Sequence, residues 1–227
     1  RPLSCYAEAF RGLATTLLYR AREPGSGRGK IIGITSSLPR EGKTTTSISV
    51  ARVLALAGKR VAILDADLRR RSVTQTLAPQ ASVGWPEVVA GSAQLKDILI
   101  ADNTGATLVP AAPDAHLAAS PFSGEAFDQL VEALRLSFDV IIVDTAPVLA
   151  GDDTRVLLKH LDTLAMLARW RQTPVKAIRA ALHQVRTVGG TVSGVAMTMV
   201  DLKNQARSGY GDASDYYGEM KDYYVAD

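Results

Sequence analysis

The segment Ser36-Ser37-Leu38-Pro39-Arg40-Glu41-Gly42-Lys43-Thr44-Thr45 places glycine, lysine and a hydroxyl in the order that cradles phosphate. The short apolar run Ile31–Thr35 precedes it, and a helical pattern from Lys43 to about Ala57 follows, stopped by Gly58. In that setting, backbone N–H groups and the helix N-terminus form an anion nest. Gly42 lets the backbone come close to phosphate, and Lys43 neutralises the β- and γ-phosphates of a nucleotide. The Thr44 hydroxyl is placed to ligate Mg²⁺. Pro39, Arg40, Glu41 and Thr45 complete the loop as candidate nucleotide contacts. Ser37 stands where the pattern has its first glycine. An ordinary strand–helix turn that contains Gly-Lys-Thr is the plain alternative.

Two acidic strand ends strengthen the nucleotide reading. Val61–Leu64 runs into Asp65-Ala66-Asp67-Leu68-Arg69, and Val140–Val143 runs into Asp144. In an open parallel sheet, ligands bind at the carboxyl ends of the strands. Both acids therefore fall beside the loop. Mg²⁺ takes oxygen ligands and keeps several waters, so Thr44, Asp65 and Asp144 are candidate metal ligands. One aspartate after a strand is commonly a cap or a turn; two on the same edge as a phosphate loop are not.

The elements that position these groups alternate. Residues 4–21 read as an amphipathic helix capped by Ser4, with Phe10, Leu13, Leu17 and Leu18 on one face. Residues 23–29 are a linker. After the first two strands come a strand at Thr107–Val109, a helix marked by Phe127, Leu130, Val131 and Leu134, and the strand before Asp144. Another strand at Leu164–Leu167, a helix over Lys176–Val188 and a last strand over Val192–Met199 complete the pattern. Apolar strands alternating with helices predict an α/β fold: a doubly wound, mostly parallel sheet with helices on both faces. Residues 69–105 show no clear period. The expected boundaries are 1–29 for helix and linker, 30–205 for the nucleotide-binding domain and 206–227 for a flexible tail.

Composition narrows the class. At 227 residues, 47% hydrophobic and 22% charged, the chain suits a soluble domain with a sizeable core. A single cysteine, Cys5, excludes a disulfide framework and fits a reducing compartment. His116, His160 and His183 have no metal-ligand spacing. No apolar run reaches the roughly 18 to 20 residues of a membrane span, and no secretory signal is present. The chain begins at Arg1 rather than Met, as expected of a piece of something longer. Apart from Arg69-Arg70-Arg71 the basic residues are scattered, so nucleic acid is not an expected partner. Five of seven tyrosines, Tyr210, Tyr216, Tyr217, Tyr223 and Tyr224, lie in the last 18 residues. Five acids against Lys221 give that tail a net −4 and leave +7 on the rest of a chain whose formal charge is +3. An acidic tail on a basic body invites docking on itself or a neighbour.

Taken in order, these features resemble the cytoplasmic domain of bacterial tyrosine kinases, P-loop NTPase-like enzymes of capsule and exopolysaccharide export. Lys43-Thr44 resembles Walker A. Asp65-Ala66-Asp67-Leu68-Arg69 resembles the family's A′ motif, and Asp144-Thr145-Ala146-Pro147-Val148 resembles Walker B. Glu8-Ala9-Phe10-Arg11 is similar to the start of the oligomerisation helix, with Ala14 where a second arginine usually stands. Thr198 replaces an asparagine that reads adenine. The resemblance implies a magnesium- and ATP-dependent autokinase with Lys43, Asp65, Asp67 and Asp144 as catalytic residues and the tail tyrosines as acceptors. It implies assembly through Glu8 and Arg11, and tails presented to a neighbouring copy's site. The other implied partners are a membrane-spanning co-polymerase or activator, fused or separate, and a tyrosine phosphatase. The implied location is the cytoplasmic face of the bacterial plasma membrane. The competing class is a regulatory ATPase of the partition type, which carries a second lysine where this chain has Leu38 and has no tyrosine tail.

Overall fold

The computed structural model describes residues 5–21, 27–112 and 121–201. Ser4, Pro113, His116 and the tail tyrosines Tyr210, Tyr216, Tyr217, Tyr223 and Tyr224 lie outside the described residues. Helix α1 (Cys5–Arg20) precedes strand β1 (Lys30–Ser36), helix α2 (Lys43–Leu56) and strand β2 (Val61–Ala66). Three short helices follow, α3 (Ser72–Leu77), α4 (Trp85–Val89) and α5 (Leu95–Ile98), then strands β3 (Ile100–Ala101) and β4 (Thr107–Val109). Helix α6 (Glu125–Ser137), β5 (Val140–Thr145), α7 (Asp153–Leu157), β6 (Thr163–Arg169), α8 (Val175–Thr187) and β7 (Val192–Thr198) complete the order.

All seven strands form one sheet, in the order β3-β4-β2-β5-β1-β6-β7. The pairings are parallel except that of β3 with β4 at the edge. The doubly wound α/β expectation therefore holds. The central strands read as continuous apolar runs because both faces are covered. On one face Ile32, Ile34, Ile63 and Ile142 pack with Ile48, Ala51 and Leu54 of α2. On the other, Leu64, Ile141 and Val143 pack with Trp85 and with Phe127, Leu130 and Leu134 of α6. A smaller cluster seats Ala181 and Val185 of α8 on Leu164 and Met166.

Helix α1 is built onto the first of these faces. Ala14, Leu17 and Ala21 are buried in the same cluster as α2 and β1. This accounts for the alanine at position 14: an arginine there would drive a charged chain into apolar packing.

The amino ends of the strands are clamped by a buried ion pair. Arg135 donates to both carboxylate oxygens of Asp162, at 2.7 and 3.0 Å, and to the Gly29 and His160 carbonyls at 2.8 and 3.0 Å. Asp162 also accepts the Ile31 amide at 2.7 Å. Removing one partner leaves a buried charge without compensation. Asp162→Ala should therefore cost about 3–5 kcal/mol in urea unfolding. Adding Arg135→Met to that variant should restore part of the loss, because the stranded guanidinium is gone. A loss below about 1 kcal/mol would mean that water reaches the pair.

Candidate active site

The parallel ladder sets the geometry. Asp65 pairs in register with Asp144 across β2 and β5, and Asp144 with Ile34 across β5 and β1. Side chains in register on adjacent strands share a face, with the strands about 4.8 Å apart. Alternation along each strand puts both carboxylates on the face of Ile63 and Ile142, which is the face that α2 covers.

Helix α2 meets them directly. Thr44 Oγ1 donates to Asp144 Oδ2 at 3.0 Å, and Ser47 Oγ donates to Oδ1 at 2.8 Å. The two hydroxyls reach one carboxylate because i and i+3 lie side by side on a helix. Asp65 is held from the other side, where its Oδ2 accepts the Thr74 amide and hydroxyl, both at 2.8 Å. Thr74 Oγ1 in turn accepts the Ala111 amide at 3.0 Å. The Trp85 indole N–H donates to the Asp65 carbonyl at 2.8 Å. The other carboxylate oxygen, Asp65 Oδ1, is buried and has no hydrogen-bond partner among the described residues.

Burial governs the charges. It pushes the Asp144 carboxyl up to about 7, and the Asp65 charge adds to the effect, while bonds from Ser47 and Thr44 and the Lys43 charge oppose it. It pushes Asp65 up to about 6, against the two bonds from Thr74. Burial also lowers the Lys43 ammonium, against the attraction of Asp144, Asp67 and Glu41. Lys43 Nζ donates to Ser36 Oγ at 3.1 Å.

The loop itself is wound through left-handed backbone at Arg40 (φ 64°) and Gly42 (φ 87°). Glycine suits the second position because a side chain there would be strained by φ, while the space beside Thr198 would admit a β-carbon in ordinary contact. Glu41 staples the loop from below. Its carboxylate accepts the Leu38 amide at 2.8 Å and the Thr173 hydroxyl, and its carbonyl accepts the Thr198 hydroxyl at 2.8 Å. Thr198, beside Gly42, thus bonds to the loop backbone.

A cavity of about 290 Å³ opens here, lined by Arg40, Gly42, Lys43, Thr44, Thr45, Asp67, Arg70, Ser72, Arg169 and Met199. Pro39, Glu41, Asp65 and Asp144 do not line it, and the two aspartates are fully buried. Asp67 is buried, and its Oδ1 accepts the Arg70 amide at 3.2 Å. Arg69 turns to the Ala150 carbonyl at 3.0 Å and lies 4.0 Å from Asp153. Glu8 and Arg11 form an ion pair on α1, each more than a third exposed. Ser47, Thr74, Thr173, Arg70 and Arg169 were not singled out from sequence. Only Ser47 carries a readable signal, one helical turn beyond Thr44.

The donors fit a hard divalent cation. Thr44 Oγ1, Asp144 and the unpartnered Asp65 Oδ1 supply oxygen alone. Among the described residues no group of three or more His, Cys, Asp or Glu could hold a metal. A cation here would therefore complete its shell with water and phosphate oxygens, as Mg²⁺ does.

The raised carboxyls make a stability prediction. With folded values of about 6 and 7 against about 3.9 unfolded, the folded state binds more protons through that window. Stability is therefore lost as pH rises from about 4 to about 7. In chelator, Asp144→Asn should match the unsubstituted protein near pH 4 and exceed it by on the order of 2 kcal/mol at pH 8. Thermal melts across that range check it, and parallel curves would show the pair to be solvated.

Comparison with known proteins places this geometry. The AAA domain family matches residues 29–191. The succinoglycan biosynthesis transport protein ExoP of Rhizobium meliloti is 30% identical over 99% of the chain and 29% of its own length. The tyrosine-protein kinase CpsD of Streptococcus agalactiae is 27% identical over 92% of the chain and 89% of its own. Among solved structures, the kinase domain of the Escherichia coli tyrosine kinase ETK is 25% identical with a TM-score of 0.77, covering 87% of this chain and 77% of that one. The chain spans less than a third of the first curated relatives it matches, 29% and 28% of their lengths. The family match runs from the residue before β1 to the residue before β7, taking in the loop and both strand-end carboxylates, and by it the chain belongs to the AAA domain family, among relatives that are bacterial tyrosine-protein kinases.

Proposed function

We propose that this chain is an ATP-dependent protein-tyrosine kinase that phosphorylates its own C-terminal cluster, Tyr210, Tyr216, Tyr217, Tyr223 and Tyr224. The observation that carries the reading is the phosphate loop and two strand-end carboxylates gathered on one sheet edge, in a chain whose relatives include the tyrosine-protein kinase CpsD. Hydrolysis and transfer both need an acceptor for the attacking oxygen's proton, so the carboxylates serve either reaction, and the five tail tyrosines favour transfer to a phenol.

Phosphoryl transfer rests on positioning and charge neutralisation. The loop amides and Lys43 hold the β- and γ-phosphates of ATP. Thr44, Asp144 and Asp65 would hold Mg²⁺, which supplies charge neutralisation on the transferred group. Asp65 orients the incoming tyrosine hydroxyl and takes its proton, and Asp67 supports the charge arrangement. The phenol oxygen bonds to the γ-phosphorus as the bond to the ADP oxygen breaks. A phenol of pKa about 10 needs such a base at neutral pH.

The tail follows the last strand, so transfer is proposed in trans, from one copy to the tail of the next, in an assembly that uses Glu8 and Arg11. Each phosphate adds about −1.5 to −2 charge. On an acidic tail this loosens the docked state, and a tyrosine phosphatase resets it. The name of the relative ExoP, a succinoglycan biosynthesis transport protein, supports a role in exopolysaccharide export, and the proposed place for this chain, in that or in capsule export, is the cytoplasmic face of the membrane beside a membrane-spanning activator, fused or separate. Among the described residues no helix is long and apolar enough to cross a membrane.

Intact mass after incubation with Mg²⁺ and ATP tests the kinase. Steps of one phosphate that map to Tyr210–Tyr224 and vanish in Lys43→Met are expected. ATP consumption with unchanged mass would instead favour the regulatory ATPase. The trans arrangement predicts an autophosphorylation rate that rises with enzyme concentration; a first-order rate would exclude it.

A further inference from the structure

The cavity has two sides, set by the strand order. Arg70 follows β2, on the side of Asp65, whereas Arg169 ends β6, beyond β1. The loop and Lys43 lie between them. Several surface arginines are paired: Arg52 with Asp102, Arg60 with Asp139, and Arg69 with the Ala150 carbonyl. Arg70 differs. Its backbone amide is fixed on Asp67 at 3.2 Å, yet its exposed side chain has no hydrogen bond or ion pair to another described residue. Its guanidinium stands at the cavity, where its charge bears on the Lys43 ammonium.

The acceptor tail carries a matching feature. Asp215-Tyr216-Tyr217 and Asp222-Tyr223-Tyr224 repeat one three-residue word, seven residues apart. Four of the five tail tyrosines lie in it. A phenol approaching Asp65 from the β2 side enters a region that already holds Asp65, Asp67 and Asp144. A further carboxylate beside the phenol would be repelled there unless a cation received it. A guanidinium receives a carboxylate through two parallel N–H bonds.

We propose that Arg70 reads the aspartate that precedes the acceptor tyrosine pair, so that the substrate class of this site is a peptide containing Asp-Tyr-Tyr. The proposal rests on the kinase reading above and assigns its specificity to one residue outside the phosphate loop. Arg169, across β1 from the acceptor side, takes no part in it.

Two peptides test the assignment: residues 214–221 as they stand, and the same peptide with Asp215→Asn. Their affinities for the full chain are measured by fluorescence anisotropy with a non-hydrolysable ATP analogue and Mg²⁺, and phosphate transfer is then measured with ATP. The aspartate peptide should bind roughly five- to tenfold more tightly. Arg70→Ala should bring that ratio close to one, Arg70→Glu should favour an Asp215→Lys peptide, and Arg169→Ala should leave the ratio in place. A ratio unchanged in Arg70→Ala, or lowered equally in Arg169→Ala, would overturn the proposal, the second outcome marking a general positive field. A loss in Arg70→Ala confined to the KM for ATP would assign Arg70 to the nucleotide and overturn it too. Binding that discriminates through Arg70 without transfer to either peptide would sink the kinase reading and leave the recognition standing. Transfer without discrimination would do the reverse.

Discussion

Two carboxylates buried side by side on adjacent parallel strands are the constraint around which this structure is arranged. Asp65 and Asp144 share a register, a face and a shortage of water. Charging both is unfavourable by desolvation and by mutual repulsion. The surroundings offset only part of this. Asp144 receives two hydroxyls from α2 and the nearby Lys43 charge, and Asp65 receives an amide and a hydroxyl from Thr74 on one oxygen. A sheet edge left so far from electrostatic satisfaction is costly as scaffold and is suited to receiving a cation and a proton.

The loop must stay open above this pair. Lys43 is attracted to Asp144, Asp67 and Glu41, yet its ammonium bonds back to Ser36. Glu41 explains part of that restraint. It lies buried beneath the loop and ties it to Thr173 after β6 and Thr198 at the end of β7. The wall of the phosphate nest is therefore shared by three strands' ends rather than by its own backbone alone. The left-handed turns at Arg40 and Gly42 are tolerated because these ties fix the loop on either side.

Much of this was legible in the residues. The central strands announce themselves because burial on both faces demands uninterrupted apolar runs, and the loop because glycine adopts Gly42's left-handed backbone without strain. The Asp65 and Asp144 juxtaposition follows from strand ends alone once the sheet is parallel. Less was legible between residues 69 and 105. Helices α3, α4 and α5 have six, five and four residues, too short to show a period, and they hold their shape through tertiary contacts such as Trp85 on the Asp65 carbonyl. Thr74 looked like any threonine for the same reason. Its role depends on a carboxylate nine residues away and an Ala111 amide 37 away. The inward turn of α1 is half visible: its apolar stripe is plain, but that Ala14 is buried with Leu17 against α2 and β1 shows only in three dimensions.

The division between legible and illegible parts has a chemical meaning. A parallel sheet with a phosphate loop is shared by proteins of many activities, so the scaffold alone does not choose between hydrolysing ATP and transferring its phosphate. What chooses is the group that meets the γ-phosphate from the other direction. In the proposed kinase that direction is the β2 side, where Asp65 is held by Thr74, Thr74 by Ala111, and the Arg70 guanidinium has no hydrogen-bond or ion-pair partner among the described residues. All of these except Asp65 come from the segment between β2 and α6, the stretch with the shortest elements and the fewest sequence rules. The common chemistry is carried by long regular strands and a long helix, which any sequence in the fold must keep. The proposed acceptor chemistry would be carried by irregular structure, which a sequence can alter without losing the sheet.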